Sequence, residues 1–163
     1  MHHQNPDESN SLSYSRDDFD RIDPKHLHLP GWDESYSPEE LQSLLSTYQK
    51  VSHEALFANL VYLLKSIEDV LDQYDIQMAI HPDDPPWDVF GLPRIVSNEA
   101  DFDRLFEAVP NRHNGMTLCS GSLGAGRKND VPHMAAKYAK EGRIYFAHLR
   151  NIRYTDNRDS FVE

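Results

Sequence analysis

The sequence predicts an α/β fold in which helices cover a parallel β-sheet. Segments with apolar residues at three- and four-residue spacing alternate with short continuous apolar runs. Capping residues, prolines and glycines separate these segments, which places the expected ends of each element. The alternation of helices, strands and loops is typical of a parallel sheet with helices packed on it.

The first part of this pattern contains two helices and one strand. Ser37 is a suitable N-cap, and Glu40 stands at the position that completes a capping box. A longer helix is expected from Ser52 to near Tyr74, and the short apolar run 76–80 predicts a buried strand. The longer helix rests on apolar residues at helical spacing: Leu56, Leu60, Leu63, Leu64, Ile67 and Leu71.

The second part repeats the order twice. Asn98 is a suitable cap for a helix, and another helix is expected over about 130–141. The short runs 116–119 and 143–149 predict the second and third strands. The helix after Asn98 has an apolar face formed by Phe102, Leu105, Phe106 and Val109. Three glycines predict a flexible loop after the second strand: Gly121, Gly124 and Gly126.

Composition narrows the class of protein. Residues 1–26 are polar and acidic without a period, so we expect a flexible segment, with residues 27–163 forming the domain. No apolar run approaches the roughly 18 residues of a membrane span, and the N-terminus lacks the apolar core of a secretory signal. The net charge of −11 disfavours nucleic acid and anionic membranes as partners. A single cysteine, Cys119, fits a reducing cytoplasm.

Each predicted strand ends in a residue that can bind a metal: His81, Cys119 and His148. The carboxyl ends of parallel strands meet at one edge of the sheet, so these side chains are expected to converge. Imidazole and thiolate together suit Zn²⁺, Fe²⁺ and similar ions. The alternative stays open, because a strand-end histidine is often structural and a lone cysteine is often a small core residue.

Two aspartates follow the first candidate ligand and precede two prolines. Asp83 and Asp84 could form a turn, or could orient the histidine and bind a substrate hydroxyl. Trp87 and Phe90 could cover the site or pack in the core. The glycine segment could approach an anion, although it matches neither the Walker motif nor the dinucleotide fingerprint. The other internal histidines are expected at the surface: His26, His28, His53, His113 and His133.

The sequence resembles the D-mannonate dehydratase family over about Leu29–Glu163. The resemblance rests on LPGW (29–32), MAIHPDDPPWDVFGLPRIV (78–96), NGMTLCSGSLGAGRKND (114–130) and GRIYFAHLRN (142–151). The HPDDPP and TLCSGS segments, in this order and spacing, are highly specific. The resemblance implies a xylose-isomerase-like (β/α)₈ TIM barrel. It also implies metal-dependent dehydration of D-mannonate to 2-dehydro-3-deoxy-D-gluconate in hexuronate (glucuronate) catabolism.

The resemblance also implies roles for individual residues. The family's metal ligands match His81, Cys119 and His148, with Mn²⁺ or Fe²⁺ as the cofactor. A fourth ligand, an aspartate, and a catalytic tyrosine are expected beyond Glu163. Candidates for contact with the substrate's carboxylate or hydroxyls are Asp83, Arg94, Asn129 and Arg150, each of which could instead be structural. Family members are commonly multimeric, so a homo-oligomer is expected.

The chain is shorter than this family. An eight-stranded barrel needs about 250 residues, so these 163 residues are expected to be its central part and to be inactive alone. One alternative is a catalytically inactive metal-binding or structural fragment. Another is a sugar isomerase or epimerase of the same barrel family, although a cysteine at a ligand position argues against it.

Overall fold

A computed structural model of the chain describes residues 2–21, 37–155 and 159–163. In chain order these residues form β1 (His2–Gln4), β2 (Asn10–Ser15), α1 (Arg16–Arg21), α2 (Pro38–Tyr48), α3 (His53–Ser66), α4 (Glu68–Tyr74), β3 (Met78–Ile80), α5 (Glu99–Ala108), β4 (Asn114–Cys119), α6 (Ser120–Ala125), α7 (Val131–Lys140), β5 (Ile144–His148), β6 (Arg153–Tyr154) and β7 (Ser160–Val162). No helix among them is long and apolar enough to cross a membrane. The LPGW segment (29–32), His26, His28 and the expected boundary after residue 26 lie outside the described residues.

The three predicted strands form one parallel sheet in the order β3-β4-β5. Ile80 pairs with Met116, and at the carboxyl end Cys119 pairs with His148. The α/β class and the parallel sheet are therefore confirmed. The register places the carboxyl ends of neighbouring strands side by side.

Residues from the helices, from β4 and from the segments that flank α5 form the main core. The buried members are Phe57, Leu64, Val96, Phe102, Leu105, Phe106, Val109, Met116, Leu123, Met134 and Tyr138. The predicted apolar face of α5 is confirmed, since all four of its residues belong to this cluster. Burying each large apolar side chain contributes about 1.5–3 kcal/mol, so this cluster dominates the stability of the parallel-sheet region.

The predicted helix starts are confirmed by their caps. Ser37 and Glu40 form both bonds of the capping box, and the side chains of Ser52 and Asn98 each accept a backbone N–H in the first turn. The helix expected from Ser52 to Tyr74 is divided at Ile67, which has φ −106° and ψ −1°. The apolar spacing continues through this single residue, and spacing alone therefore could not reveal the break.

The prediction of a flexible loop at the three glycines is wrong, because the segment forms the short helix α6. The sulfur of Cys119 accepts the N–H of Ser122 and caps the helix, and Leu123 is fully buried in the core. Glycine has low helix propensity, but burial and capping override that local preference here.

A second sheet, antiparallel and of order β1-β2-β7-β6, was not predicted. Strand β2 pairs with β7, with Ser13 opposite Val162. The ring of Phe161 in β7 stacks on Tyr14 of β2, with their centroids 5.0 Å apart. Phe161 also belongs to a small apolar cluster with Trp87. The packing interpretation of Trp87 is thus the one that the structure supports.

The N-terminal residues contain regular structure where the sequence analysis expected none. Elements β1, β2 and α1 all lie within residues 2–21. Strand β2 pairs with β7 at the far end of the chain, and β1 pairs with β2. No local periodicity in the sequence indicates a pairing between segments so far apart. The flexibility of this segment and the domain boundary after residue 26 stay predictions.

Candidate metal centre

The three candidate ligands lie together at the carboxyl edge of the parallel sheet. His81 directly follows β3, and Cys119 and His148 are the last residues of β4 and β5. One ligand atom from each residue lies within 4.8 Å of the others. The sulfur of Cys119 is 3.7 Å from Nδ1 of His148, and the two imidazole rings have centroids 5.8 Å apart. The structure therefore brings together the residues whose convergence the strand ends predicted.

This donor set fits a divalent transition-metal ion. Zn–S and Zn–N bonds of about 2.3 and 2.0–2.1 Å place tetrahedral ligands about 3.6 Å apart. The distance of 3.7 Å between Cys119 and His148 is close to that value. The Nδ1 atom of His81 lies 2.7 Å from the carbonyl oxygen of Pro82. A carbonyl only accepts, so Nδ1 carries the hydrogen and Nε2 is the atom available to a metal.

The site is buried on one side and open on the other. Cys119 is fully buried, His148 is partly buried and His81 is exposed. In this structure the site is therefore accessible from the side of His81, while α6 covers the thiol. Burial of the sulfur also limits its reaction with oxidants, since exposed thiolates are the oxidation-prone ones.

A polar cluster surrounds the buried thiol. The Ser122 hydroxyl lies 3.1 Å from the Cys119 sulfur, donates to Oδ2 of Asp84 at 3.0 Å and accepts from Arg150 at 3.0 Å. The Arg150 guanidinium also pairs with Asp84 and lies 2.8 Å from Oε1 of Glu163. Burial raises the pKa of Glu163, and the charge of Arg150 only partly opposes this. Arg150 thus links Ser122, which contacts the thiol, to the carboxylates of Asp84 and Glu163.

Two of the predicted substrate contacts, Asp83 and Arg94, lie together in the loop after β3. The Asp83 carboxylate accepts the N–H groups of Ile95 and Val96 at 2.7 and 2.8 Å, which closes the loop after β3. Arg94 lies 3.9 Å from the same carboxylate. Turn and loop formation therefore accounts for Asp83 in this structure. The substrate-binding roles of Asp83 and Arg94 stay predictions.

Asn129 likewise bonds to the backbone. Its amide donates to the carbonyl oxygens of Ser97 and Leu123, each at 2.9 Å. A Cβ atom at Gly126 would lie 2.7 Å from this amide, so the glycine allows the close approach. These bonds join α6 to the segment before α5, and substrate binding by Asn129 stays a prediction.

Sequence reasoning missed Ser122 and Glu163. Ser122 stands three residues after Cys119, and that spacing is the one at which an N-cap side chain meets a backbone N–H. The spacing could therefore have revealed the cap. Glu163 reaches Arg150 only through the antiparallel sheet, for which no local signal exists.

The histidines expected at the surface divide into two groups. His53 and His133 have side chains 57% and 59% exposed, which confirms the expectation. His113 is 1% exposed, so the expectation is wrong for it. Its Nε2 lies 3.3 Å from Oδ1 of Asp72, and the ring is packed at the amino end of β4. His113 is buried because it directly precedes β4, the central strand of the parallel sheet. The polar residues around it in the sequence gave no sign of this burial.

Comparisons with known proteins all find mannonate dehydratases. The family model described as D-mannonate dehydratase (UxuA) matches residues 1–163. Mannonate dehydratase 2 of Halalkalibacterium halodurans is 48% identical over 96% of this chain and 46% of its own length. Mannonate dehydratase of Thermotoga maritima is 40% identical over 100% of this chain and 48% of its own length.

A solved structure agrees with these relatives. The crystal structure of mannonate dehydratase from Streptococcus suis serotype 2 matches with a TM-score of 0.84 and 36% identity. The match covers 99% of this chain and 43% of that chain. The chain spans about half the length of the curated relatives it matches.

Proposed function

Because this chain belongs to the D-mannonate dehydratase family, we propose that it forms part of an enzyme that converts D-mannonate to 2-dehydro-3-deoxy-D-gluconate and water. The observation that carries this proposal is the convergence of His81, Cys119 and His148 at one sheet edge. Sugar isomerases of related barrels usually use carboxylates and histidines, so the buried thiol favours the dehydratase.

We propose that β3, β4, β5 and their helices are the central part of a TIM barrel, within a domain spanning residues 27–163. The parallel register and the helix after each of β3 and β4 support this. In TIM barrels the active site lies at the carboxyl ends of the strands, where the three candidate ligands stand. A complete barrel needs about 250 residues, so the remaining strands belong to other segments.

The three side chains would hold Mn²⁺ or Fe²⁺. His81 would bind through Nε2, since its Nδ1 bonds to a carbonyl, and the buried Cys119 would bind as thiolate. A bound divalent cation supplies Lewis-acid stabilisation of negative charge on substrate oxygens. This is needed because the C2 proton of the substrate, next to a carboxylate, is only weakly acidic.

The chain's own residues contribute binding and orientation. Arg150, partly buried beside the thiol, has the planar fork that suits a carboxylate, and its present partners are Asp84 and Glu163. The general acid and base are proposed to lie beyond Glu163. The substrate is a small anion, and we further propose that the complete enzyme is a cytoplasmic homo-oligomer. The net charge of −11 supports a small molecule, rather than nucleic acid, as the partner.

A chimera tests this proposal directly. Residues 1–163 replace the matching segment of the Halalkalibacterium halodurans relative, and formation of the 2-oxo acid from D-mannonate is measured with Mn²⁺ or Fe²⁺. We expect metal-dependent turnover, and we expect Cys119→Ala or His148→Ala to abolish it. The control is His133→Ala, which removes an exposed histidine of α7 and is expected to leave turnover unchanged.

Other outcomes separate the alternatives. Metal binding by the chimera without turnover of D-mannonate would support a catalytically inactive metal-binding segment. Isomerisation of neutral sugars in place of dehydration would support the isomerase interpretation. Full turnover by Cys119→Ala or His148→Ala would contradict the ligand assignment.

A further inference from the structure

The hydroxyl of Ser122 lies at the centre of the buried cluster around the thiol. Ser122 is 1% exposed, and its Oγ lies within 3.1 Å of the Cys119 sulfur, of Asp84 Oδ2 and of an Arg150 nitrogen. Its backbone N–H also points at the sulfur, at 3.4 Å. Both hydrogen-bond donors of this one residue are therefore close to the sulfur.

Counting hydrogens shows what the hydroxyl can do. A serine hydroxyl has one hydrogen and can accept as well, whereas a guanidinium only donates. Arg150 therefore donates to the Ser122 oxygen, and the hydroxyl hydrogen goes to Asp84 or to the sulfur. Asp84 Oδ2 also receives a hydrogen from Arg150, so it keeps a partner when Ser122 donates elsewhere. The hydroxyl can thus serve a metal-bound thiolate, which accepts only, without leaving Asp84 unpaired.

The cluster is held in place from both sides. The Ser120 hydroxyl donates to the carbonyl oxygen of Arg150 at 2.6 Å and accepts its N–H at 2.9 Å. A Cβ atom at Gly121 would lie 2.7 Å from Nε of Arg150, so the guanidinium packs directly on the backbone of α6. Glu163 contacts the other end of the guanidinium. These contacts leave Arg150, and through it the Ser122 hydroxyl, little freedom to move.

We propose that Ser122, fixed between Asp84 and Arg150, is a positioning residue that orients the Cys119 sulfur toward the metal. This inference rests on the proposed metal site. Side chains that hydrogen-bond to metal ligands orient them, and their loss typically lowers metal affinity about 10- to 100-fold. Ser122 touches the ligand rather than the substrate, so its effect is on the sulfur and on the metal that the sulfur binds.

Binding of Co²⁺ to the purified chain tests the proposal without catalysis. Co²⁺ bound to a thiolate absorbs through a sulfur-to-metal charge-transfer band, and the chain has one cysteine to produce it. In Ser122→Ala we expect about tenfold weaker Co²⁺ binding and a shifted charge-transfer band. Ser122→Thr keeps the hydroxyl and is expected to restore the wild-type band.

A matched control separates positioning from general loss of stability. Thr117 is 3% exposed in β4, and its hydroxyl donates to the carbonyl oxygen of Ala79 at 3.0 Å. Thr117→Val removes one buried hydroxyl from the same strand as Cys119 without touching the sulfur's partners. We expect its Co²⁺ affinity and charge-transfer band to match those of the wild type.

Each outcome decides a stated point. An unchanged affinity and band in Ser122→Ala would overturn the positioning role while leaving the metal site intact. A wild-type chain without any thiolate-to-cobalt band would overturn the metal site itself, and this inference with it. If Ser122→Ala does not fold, Asp84→Asn is used, because Arg150, which holds the Ser122 oxygen, then loses its ion pair with Asp84. Weaker Co²⁺ binding in that variant supports the proposal, and unchanged binding overturns it.

Discussion

The parallel and antiparallel sheets differ in the range of the interactions that form them. In the parallel sheet each strand lies close in sequence to helices that pack in the main core, such as α5 with Phe102. The antiparallel sheet joins β2 to β7, from opposite ends of the chain, around a small cluster that includes Phe161. The first is built mainly from neighbouring segments, and the second from a long-range pairing.

The two regions also contribute differently to the site. The parallel sheet supplies all three candidate ligands at its strand ends. The antiparallel sheet adjoins Glu163, which contacts Arg150, and it packs on Trp87 in the loop after His81. We therefore expect the parallel sheet to determine whether the site exists. The antiparallel sheet is expected to adjust the polar cluster beside it.

Truncation of one core ring in each region tests this difference. Phe102→Ala removes a fully buried side chain from the main core, and we expect the free energy of unfolding to fall by about 3–5 kcal/mol. Phe161→Ala is expected to cost less, about 1–3 kcal/mol, because the smaller sheet can open locally. Urea unfolding measures both, with the exposed Phe146→Ala as a control near zero. Equal losses at Phe102 and Phe161 would mean that the two sheets unfold as one unit.

Two glycines of α6 sharpen the comparison, because each faces a different neighbour. A Cβ atom at Gly121 would lie 2.7 Å from Nε of Arg150, so Gly121→Ala is expected to cost about 1–3 kcal/mol through overpacking. At Gly124 the nearest atom belongs to Ile152 at 3.5 Å, an ordinary contact. Gly124→Ala should be neutral or stabilising by up to about 1 kcal/mol, because alanine favours a helix. Thermal unfolding of the two variants checks this prediction. Equal changes in stability would show that the Arg150 side chain moves aside at little energetic cost.

The pH dependence of stability is the smallest expected effect. Burial raises the pKa of Glu163 above its ordinary 4.5, so the folded chain holds this proton more tightly than the unfolded chain does. Its contribution to stability is fully present below about pH 4.5 and is lost as pH rises through the raised pKa. Glu163→Gln should therefore gain stability relative to wild type as pH increases from 4 to 7, measured by urea midpoints.

Glu54 provides the opposite sign. The hydrogen bond from Arg104 lowers the pKa of Glu54, so its contribution is present at neutral pH and is lost as pH falls through the lowered pKa. Glu54→Gln should lose stability relative to wild type over the same rise in pH. The same trend in both variants would contradict the assigned causes, because their pKa values move in opposite directions.

Much of the parallel sheet could be predicted because its signals are short-range. The cap at Asn98 and the apolar face of α5 each involve residues three or four positions apart. The helical repeat brings such residues together, so both features can be recognised from the sequence. The convergence of His81, Cys119 and His148 followed from one rule, that parallel strands end at a common edge. The family resemblance added the catalytic context, which the spacing alone could not supply.

The rest depended on contacts that local spacing does not encode. The glycine segment forms α6 because the Cys119 sulfur caps it and Leu123 is buried, although its local composition favours a loop. Asp84, predicted as a turn residue or a substrate contact, meets Arg150 from 66 residues away. The residues next to Asp84 and those next to Arg150 in the sequence give no indication that the two side chains pair.

By itself the sequence determined the caps at Ser37, Ser52 and Asn98, the three parallel strands, the candidate ligands at their ends and the family. Only the tertiary structure decided the pairing of β2 with β7, the helix α6 and the cluster of Ser122, Asp84 and Arg150. The physical reason is the range of the forces involved. Helix periods and caps are satisfied within one or two turns of chain. Sheet pairing and buried polar clusters form only when segments distant in sequence come into contact. The stabilisation that they contribute depends on the geometry of those contacts.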